Sequence, residues 1–163
     1  MFYSVTESPI GPLMLTGRGE ALEGLYFSTG SKARGADPDW QRDDARFADA
    51  RRQLDEYFAG ARRTFDLALA PHGTDFQLAV LAALQQIPYG ETRTYAEIAQ
   101  AVGRPRAVRA VGTANGRNPI ALIIPCHRVI GSDGSLTGFG GGLDAKQTLL
   151  SHEAGHSGLF AQA

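Results

Sequence analysis

A single cysteine, Cys126, stands in the 163 residues of this chain. That scarcity excludes an internal disulfide and any zinc cage built from several thiolates. It suits a reducing compartment, so the cytoplasm is the expected location. No apolar run approaches the ~20 residues that span a bilayer, and no membrane partner is expected. The opening MFYSVTESPIGPL has neither the basic nor the apolar segment of a signal peptide. Internal repeats and low-complexity segments are lacking too. Acidic residues run short in one stretch. Residues 92–131 hold one acid, Glu97, against Arg93, Arg104, Arg106, Arg109, Arg117 and Arg128, whereas residues 1–70 carry nine basic and eleven acidic side chains. The net charge of −1 hides that asymmetry. A local excess of this size is either a footprint for a polyanion or a solvated basic face. What is present is ordinary globular material: at 43% hydrophobic and 20% charged, the chain can bury a core and is neither disordered nor collagen-like. Its length suits one domain or two small ones.

The first part reads as α+β. Residues 2–6, 13–16 and 22–27 have strand character, separated by the turns Ser8-Pro9-Ile10-Gly11-Pro12 and 17–20. Residues 30–40 form a polar loop. Residues 43–59 are predicted helical, with Phe47, Arg51, Leu54 and Phe58 on one face and Gly60 as the cap. Residues 64–69 are a further short strand. Ala70-Pro71-His72-Gly73 reads as a linker, giving an N-terminal domain over 1–70 and a C-terminal one over 74–163.

The second part reads as mainly helical. Thr74 with Gln77, and Thr94 with Glu97, are capping boxes opening two helices. Pro105 suits the first turn of a third, running to about Ala114. The last two, joined by Gly103-Arg104, make a helix-turn-helix pattern. At 100° per residue, Val108 and Val111 point to one side of the second helix and Arg106, Arg109 and Thr113 to the other. Ala107, Ala110 and Ala114 lie between them. That suits a helix pressed into a groove, or an ordinary amphipathic helix with alanines for propensity. The apolar run 120–124 is predicted to be a buried strand delivering Pro125-Cys126-His127-Arg128. Six glycines in residues 131–142 mark a loop that approaches something closely or moves. Asp144 is predicted to cap a last helix running to Glu153.

A lone cysteine is ordinarily a small buried hydrophobe. Here it has a strand end, a neighbouring base, two nearby arginines and a glycine-rich loop, and cationic surroundings lower a thiol's pKa. His127 is either its base or a surface histidine. Adjacent strand residues point to opposite faces, so a His127–Cys126 contact needs a local turn or a bridging water. Glu153 is the candidate carboxylate to fix the histidine's tautomer, because it ends a helix that can fold back. Spacing alone does not select it.

The octapeptide 124–131, IPCHRVIG, resembles the active-site signature of the O6-alkylguanine–DNA alkyltransferases, the methylated-DNA–protein-cysteine methyltransferases. PYGETRTYAEIA (88–99), RAVRAVGTANGRNPIALIIPCHRVIG (106–131), LTGFGGGLDAKQTLLSHE (136–153) and the hairpin SPIGPLMLTGRG (8–19) are similar to the family in order and spacing. The resemblance implies an RNase H-like N-terminal domain followed by a winged-helix-like DNA-binding domain, α/β overall. It implies repair of alkylated double-stranded DNA by a monomer without a cofactor. Cys126 would accept the alkyl group. His127, through a water, would be its base, oriented by Glu153, with Asn118 bracing the turn. Tyr95 would donate to the departing guanine and help hold the phosphate backbone. Arg109 would fill the stack after base flipping. Ala107, Ala110, Thr113, Ala114 and Arg128 would join it on the DNA. The carbonyls of Cys126 and Val129 would receive the guanine amine, and Lys146 would support the thiolate. Gly140 stands where some members have a serine near O6, and Leu81 where many have tryptophan. Members that bind zinc do so through N-terminal cysteines absent here, so no zinc is expected. The competing readings are a Cys-His-Glu thiol hydrolase, distinguished by repeated turnover, and a non-catalytic damage sensor, against which Cys126 itself speaks. Glu153→Gln is expected to keep the fold and slow alkylation.

Overall fold

Hydrophobic side chains on both faces suit residues 13–17 to the centre of a sheet. The computed structural model, which describes residues 1–27, 35–136 and 142–156, places them there. Strands β1 (Phe2–Thr6), β2 (Leu13–Gly17), β3 (Gly24–Phe27) and β4 (Gln41–Arg42) form one sheet in the order β3-β2-β1-β4. The first three form an antiparallel meander, with Thr6 opposite Leu13 and Leu13 opposite Phe27. The two-residue β4 runs parallel to β1, an edge pairing that its exposed, polar sequence does not announce.

A 3₁₀ turn (Ala45–Phe47) leads into helix α1 (Ala48–Phe58). Its buried face is Ala50, Gln53, Leu54 and Tyr57. The expected face included Arg51 and Phe58; the helix is turned by about one residue from that reading, and both are only half-buried. The predicted strand at 64–69 does not form. A single bridge joins Leu22 to Leu69, and the Gln53 side chain serves the segment instead, accepting from Asp66 N at 2.8 Å and donating to Asp66 O at 2.9 Å.

Helix α2 (Asp75–Leu84) opens on the Thr74–Gln77 capping box. Strand β5 (Arg93–Thr94) and helix α3 (Tyr95–Ala101) follow, with the Thr94–Glu97 box in place. Helix α4 (Val108–Gly116) begins later and ends later than its sequence indicates, because Pro105 sits in the preceding turn rather than in the helix. Helices α2, α3 and α4 pack on one another. Strand β6 (Val129–Ile130) pairs in parallel with β5. Helix α5 (Leu143–Gly155) is entered through Gly142 at φ 94°, and Asp144 lies inside its first turn rather than capping it. Architecturally the chain is mixed α/β, a small sheet with one helix followed by a mostly helical part. One apolar cluster runs from Leu13, Leu25 and Leu54 through Leu84 and Val111 to Leu149. Leu25 N donates to Pro119 O at 2.8 Å, joining β3 to the segment before the cysteine.

That segment is a tight turn, not the predicted strand. Ile123 N donates to Ala121 O at 2.8 Å and Ile124 N to Ile120 O at 3.0 Å. Leu122, at φ 71°, is the one non-glycine residue among those described with positive φ. Its side chain is buried. The left-handed conformation costs roughly 1–2 kcal/mol. Losing a buried leucine costs about 2–5 kcal/mol. Burial therefore outweighs strain, and Leu122→Gly should lower the unfolding free energy by about 1–3 kcal/mol in denaturant titration. A gain in stability would show that the side chain does not anchor the turn.

Candidate active site

Asn118 ties the turn at both ends. Its Nδ2 donates to Ile124 O at 2.8 Å and its Oδ1 accepts from Ile120 N at 3.0 Å. The chain then passes Pro125 into a 3₁₀ turn (Cys126–Arg128), where Arg128 N donates to Pro125 O. This supplies the local turn that a strand would not. Asn115 Nδ2 reaches Cys126 O at 3.4 Å from α4. Asn115 carried no signal in the sequence beyond a turn-forming Asn-Gly pair.

Cys126, His127, Arg128, Lys146 and Glu153 are all buried. His127 Nε2 lies 2.7 Å from Glu153 Oε2. An ionised carboxylate only accepts, so Nε2 carries the hydrogen and Nδ1 is the basic nitrogen. Nδ1 is buried and has no protein hydrogen-bond partner. Arg128 grips the same carboxylate, Nε to Oε1 at 2.7 Å and Nη2 to Oε2 at 3.1 Å, and its Nη1 donates to Ile87 O at 2.8 Å. Tyr57 donates its hydroxyl to Oε2 at 2.7 Å, and Gly90 N approaches Oε1 at 3.4 Å. Lys146 Nζ donates to Val129 O at 2.5 Å.

The charges fix the resting protonation states. Burial alone would raise Glu153, but the bond from His127 and the charge and hydrogen bonds of Arg128 overcome it and hold the carboxyl far below the usual range. Burial pushes His127 down, helped by the nearby Arg128 and Lys146 charges and opposed by Glu153. It is therefore a neutral base. The Cys126 thiol is pushed up by burial, against the bond from Asn118 and the Lys146 charge. This corrects the expectation of a lowered thiol: desolvation outweighs the cations. Burial also lowers Lys146, while its proximity to Cys126 opposes that shift.

Two residues expected on DNA are elsewhere. Arg128 is buried and its guanidinium is committed to Glu153 and Ile87 O. Ala114 is buried beside Val111 and Asn115 on the core face of α4. Conversely, Val108, expected inside, is 37% exposed. Arg106, Arg109, Ala110 and Thr113 are exposed, and Ala107, the N-cap, is half-buried. Tyr95 begins α3, half-buried, with its ring over Gly112 of α4. The β5–β6 pairing sets that helix start beside the exit from the cysteine turn. Gly140 lies outside the described residues. Among the described residues, no three His, Cys, Asp or Glu side chains gather as metal ligands, and no helix is long and apolar enough to cross a membrane.

The fold and site together define a two-part α/β protein with a buried Cys–His–Glu arrangement. Known proteins share the fold. Residues 75–155 match the family described as 6-O-methylguanine DNA methyltransferase, DNA binding domain, and residues 1–71 match its ribonuclease-like domain. The chain is 58% identical over 153 residues to the methylated-DNA–protein-cysteine methyltransferase of Methanosarcina barkeri, covering 94% of this chain and 97% of that protein. The crystal structure of Mycobacterium tuberculosis OGT in complex with DNA superposes with a TM-score of 0.90 at 48% identity, over 99% of this chain and 98% of the other. An O6-methylguanine DNA methyltransferase from Methanococcus jannaschii aligns at 0.65 and 27% identity, over 93% of each. This chain belongs to the methylated-DNA–protein-cysteine methyltransferase family.

Two outcomes follow from the buried charges. Replacing Glu153 leaves the Arg128 guanidinium buried against an amide, and breaking such a pair costs about 3–5 kcal/mol. Glu153→Gln should therefore lose that much stability in denaturant unfolding. This revises the expectation that the fold would be untouched; a loss below ~1 kcal/mol would mean that water reaches Arg128. The second outcome concerns pH. The folded pKa of His127 lies below its ordinary value of about 6.5. The unfolded chain therefore binds more protons as pH falls through that value. Stability from neutral His127 is full above about pH 6.5 and declines below it, before Glu153 titrates. Unfolding titrations from pH 8 to about 5 should show the decline in the parent and a flatter curve in His127→Gln.

Proposed function

We propose that this protein repairs DNA by moving an alkyl group from O6 of guanine to Cys126, once per molecule. The observation that carries the reading is the single thiol on a pinned turn, beside a neutral histidine whose far nitrogen is held by an ionised carboxylate. The thiol proton passes through a water to His127 Nδ1, and Glu153 stabilises the imidazolium that forms. The thiolate attacks the alkyl carbon; the S–C bond forms and the C–O6 bond breaks, its electron pair remaining on guanine. Tyr95 gives a proton to a ring nitrogen, so that guanine does not leave as a poor anionic leaving group. The carbonyls of Cys126 and Val129 accept the guanine amine, and Lys146 fixes the latter. The proton shift leaves the net charge of the site unchanged, and the charge of Lys146 favours the thiolate that forms. Nothing in the chain cleaves a thioether, which ends the reaction after one turnover.

The target carbon lies inside a duplex, and the base must leave the stack. The exposed Arg109, Ala110 and Thr113 on α4, with Arg106 in the turn before it, support this helix as the DNA contact, in the minor groove, where readout is largely degenerate in sequence. Arg109 takes the place of the extruded base. We assign residues 1–70 and 74–163 to separate domains of a monomer acting in the cytoplasm on nucleoid DNA, without a cofactor or metal.

Mass spectrometry after mixing with excess O6-methylguanine duplex should show one methyl group, on Cys126, with repair reaching a plateau at the protein concentration. Several repairs per molecule would contradict it. Arg109→Ala should slow the duplex reaction by roughly tenfold per 1.4 kcal/mol of lost support. It should leave the reaction with a free alkylguanine base near the parent rate. Equal losses on both substrates would remove Arg109 from base extrusion.

A further inference from the structure

Glu153 is reached from the N-terminal part of the chain as well as from the cysteine turn. Tyr57, on α1 and fully buried, donates to the same Oε2 that receives His127. Its main-chain oxygen meets His152 Nε2 at 2.8 Å. Two consecutive residues of α5 thus hold the two ends of one residue of α1. The ring packs against Phe58, Phe65, Tyr89 and His152, with centroids 5.1 to 6.1 Å away. A phenylalanine would fill that space equally well. Packing therefore does not account for the hydroxyl.

We propose that Tyr57 is a positioning residue for the reactive cysteine: its hydroxyl fixes Glu153 Oε2 and takes a share of the carboxylate's charge, so that docking of α1 sets the basicity of His127. The proposal rests on the alkyl-transfer reading for the role of Cys126, but not for the effect on His127. The other groups facing the carboxylate are His127 and Arg128 from the 3₁₀ turn, and Tyr89 and Gly90 N from the loop after α2. His127 is faced in addition by Lys146 of α5. Burial and the Glu153 charge hold the Tyr57 phenol well above its ordinary pKa, so it stays a neutral donor across the working range. A donor to the charged form stabilises that form. Without it, more of the carboxylate's charge bears on the His127 N–H, and imidazolium becomes easier to form.

The test is the pH dependence of Cys126 alkylation by iodoacetamide in the whole chain, alongside thermal unfolding. Iodoacetamide reads the thiolate and needs no DNA. Tyr57→Phe should move the acid limb upward by about half to one pH unit and raise the rate on the plateau above it by about threefold to tenfold, because a more basic His127 takes the thiol proton more readily. Replacing Tyr57 by 3-fluorotyrosine, a stronger donor of nearly the same shape, should move the limb the other way; it decides the matter alone if the phenylalanine variant does not fold. Superimposable profiles with only a lower melting temperature would overturn the proposal and leave Tyr57 a packing residue. If the parent takes no methyl from O6-methylguanine DNA but the limb still moves with iodoacetamide, the alkyl-transfer reading fails while the role of Tyr57 stands.

Discussion

Glu153 carries a negative charge at 1% exposure, and a carboxylate so placed is stable only if donors replace the water it has lost. Five hydrogen bonds do so, from His127, twice from Arg128, from Tyr57 and from Gly90 N. Those donors come from the cysteine turn, from α1 and from the loop after α2, while the carboxylate is on α5. One desolvated charge therefore ties together four segments far apart in the chain. The geometry of the reactive turn is set at the same point as the seam between the sheet-bearing part and the helical part.

Low local dielectric explains why the arrangement can be both stable and reactive. In water the Arg128–Glu153 attraction would be about 1 kcal/mol at 4 Å; out of water it is several times larger, and an unpaired partner is correspondingly costly. The same desolvation raises the Cys126 thiol and lowers His127, so the proton rests on sulfur and the base stays empty. A resting neutral thiol is protected from casual electrophiles and oxidants, whose reactions require thiolate. The positive charge of Lys146 then favours the thiolate, and the Glu153 charge favours the imidazolium that forms with it.

Local chemistry was legible in the sequence where the cause is local. Both capping boxes, the three meander strands and Cys126 beside His127 are written within a few residues. Glu153 needed the family resemblance as well, since 26 residues separate it from His127. Features decided by tertiary contact were not legible. Arg128 reads as one more arginine in a basic stretch until Glu153 closes over it. The apolar run 120–124 suits a strand by composition, but Asn118 ties its two ends into a turn. Tyr57 reads as an aromatic beside Phe58; only the docking of α5 gives its hydroxyl a purpose. Ala114 and Val108 exchange their expected faces because α4 begins three residues after Pro105 and packs on α2 and α3.

The central claim is that an ionised Glu153 holds His127 as the neutral Nε2–H tautomer, leaving Nδ1 to take the thiol proton. Nitrogen-15 NMR of the histidine side chains in the whole protein at neutral pH tests it directly. The account predicts a protonated Nε2 coupled to its hydrogen and an unprotonated, basic Nδ1 for His127, changing to imidazolium only well below about pH 6.5. A hydrogen on Nδ1 in the neutral ring, or an imidazolium already present at pH 7, would contradict it.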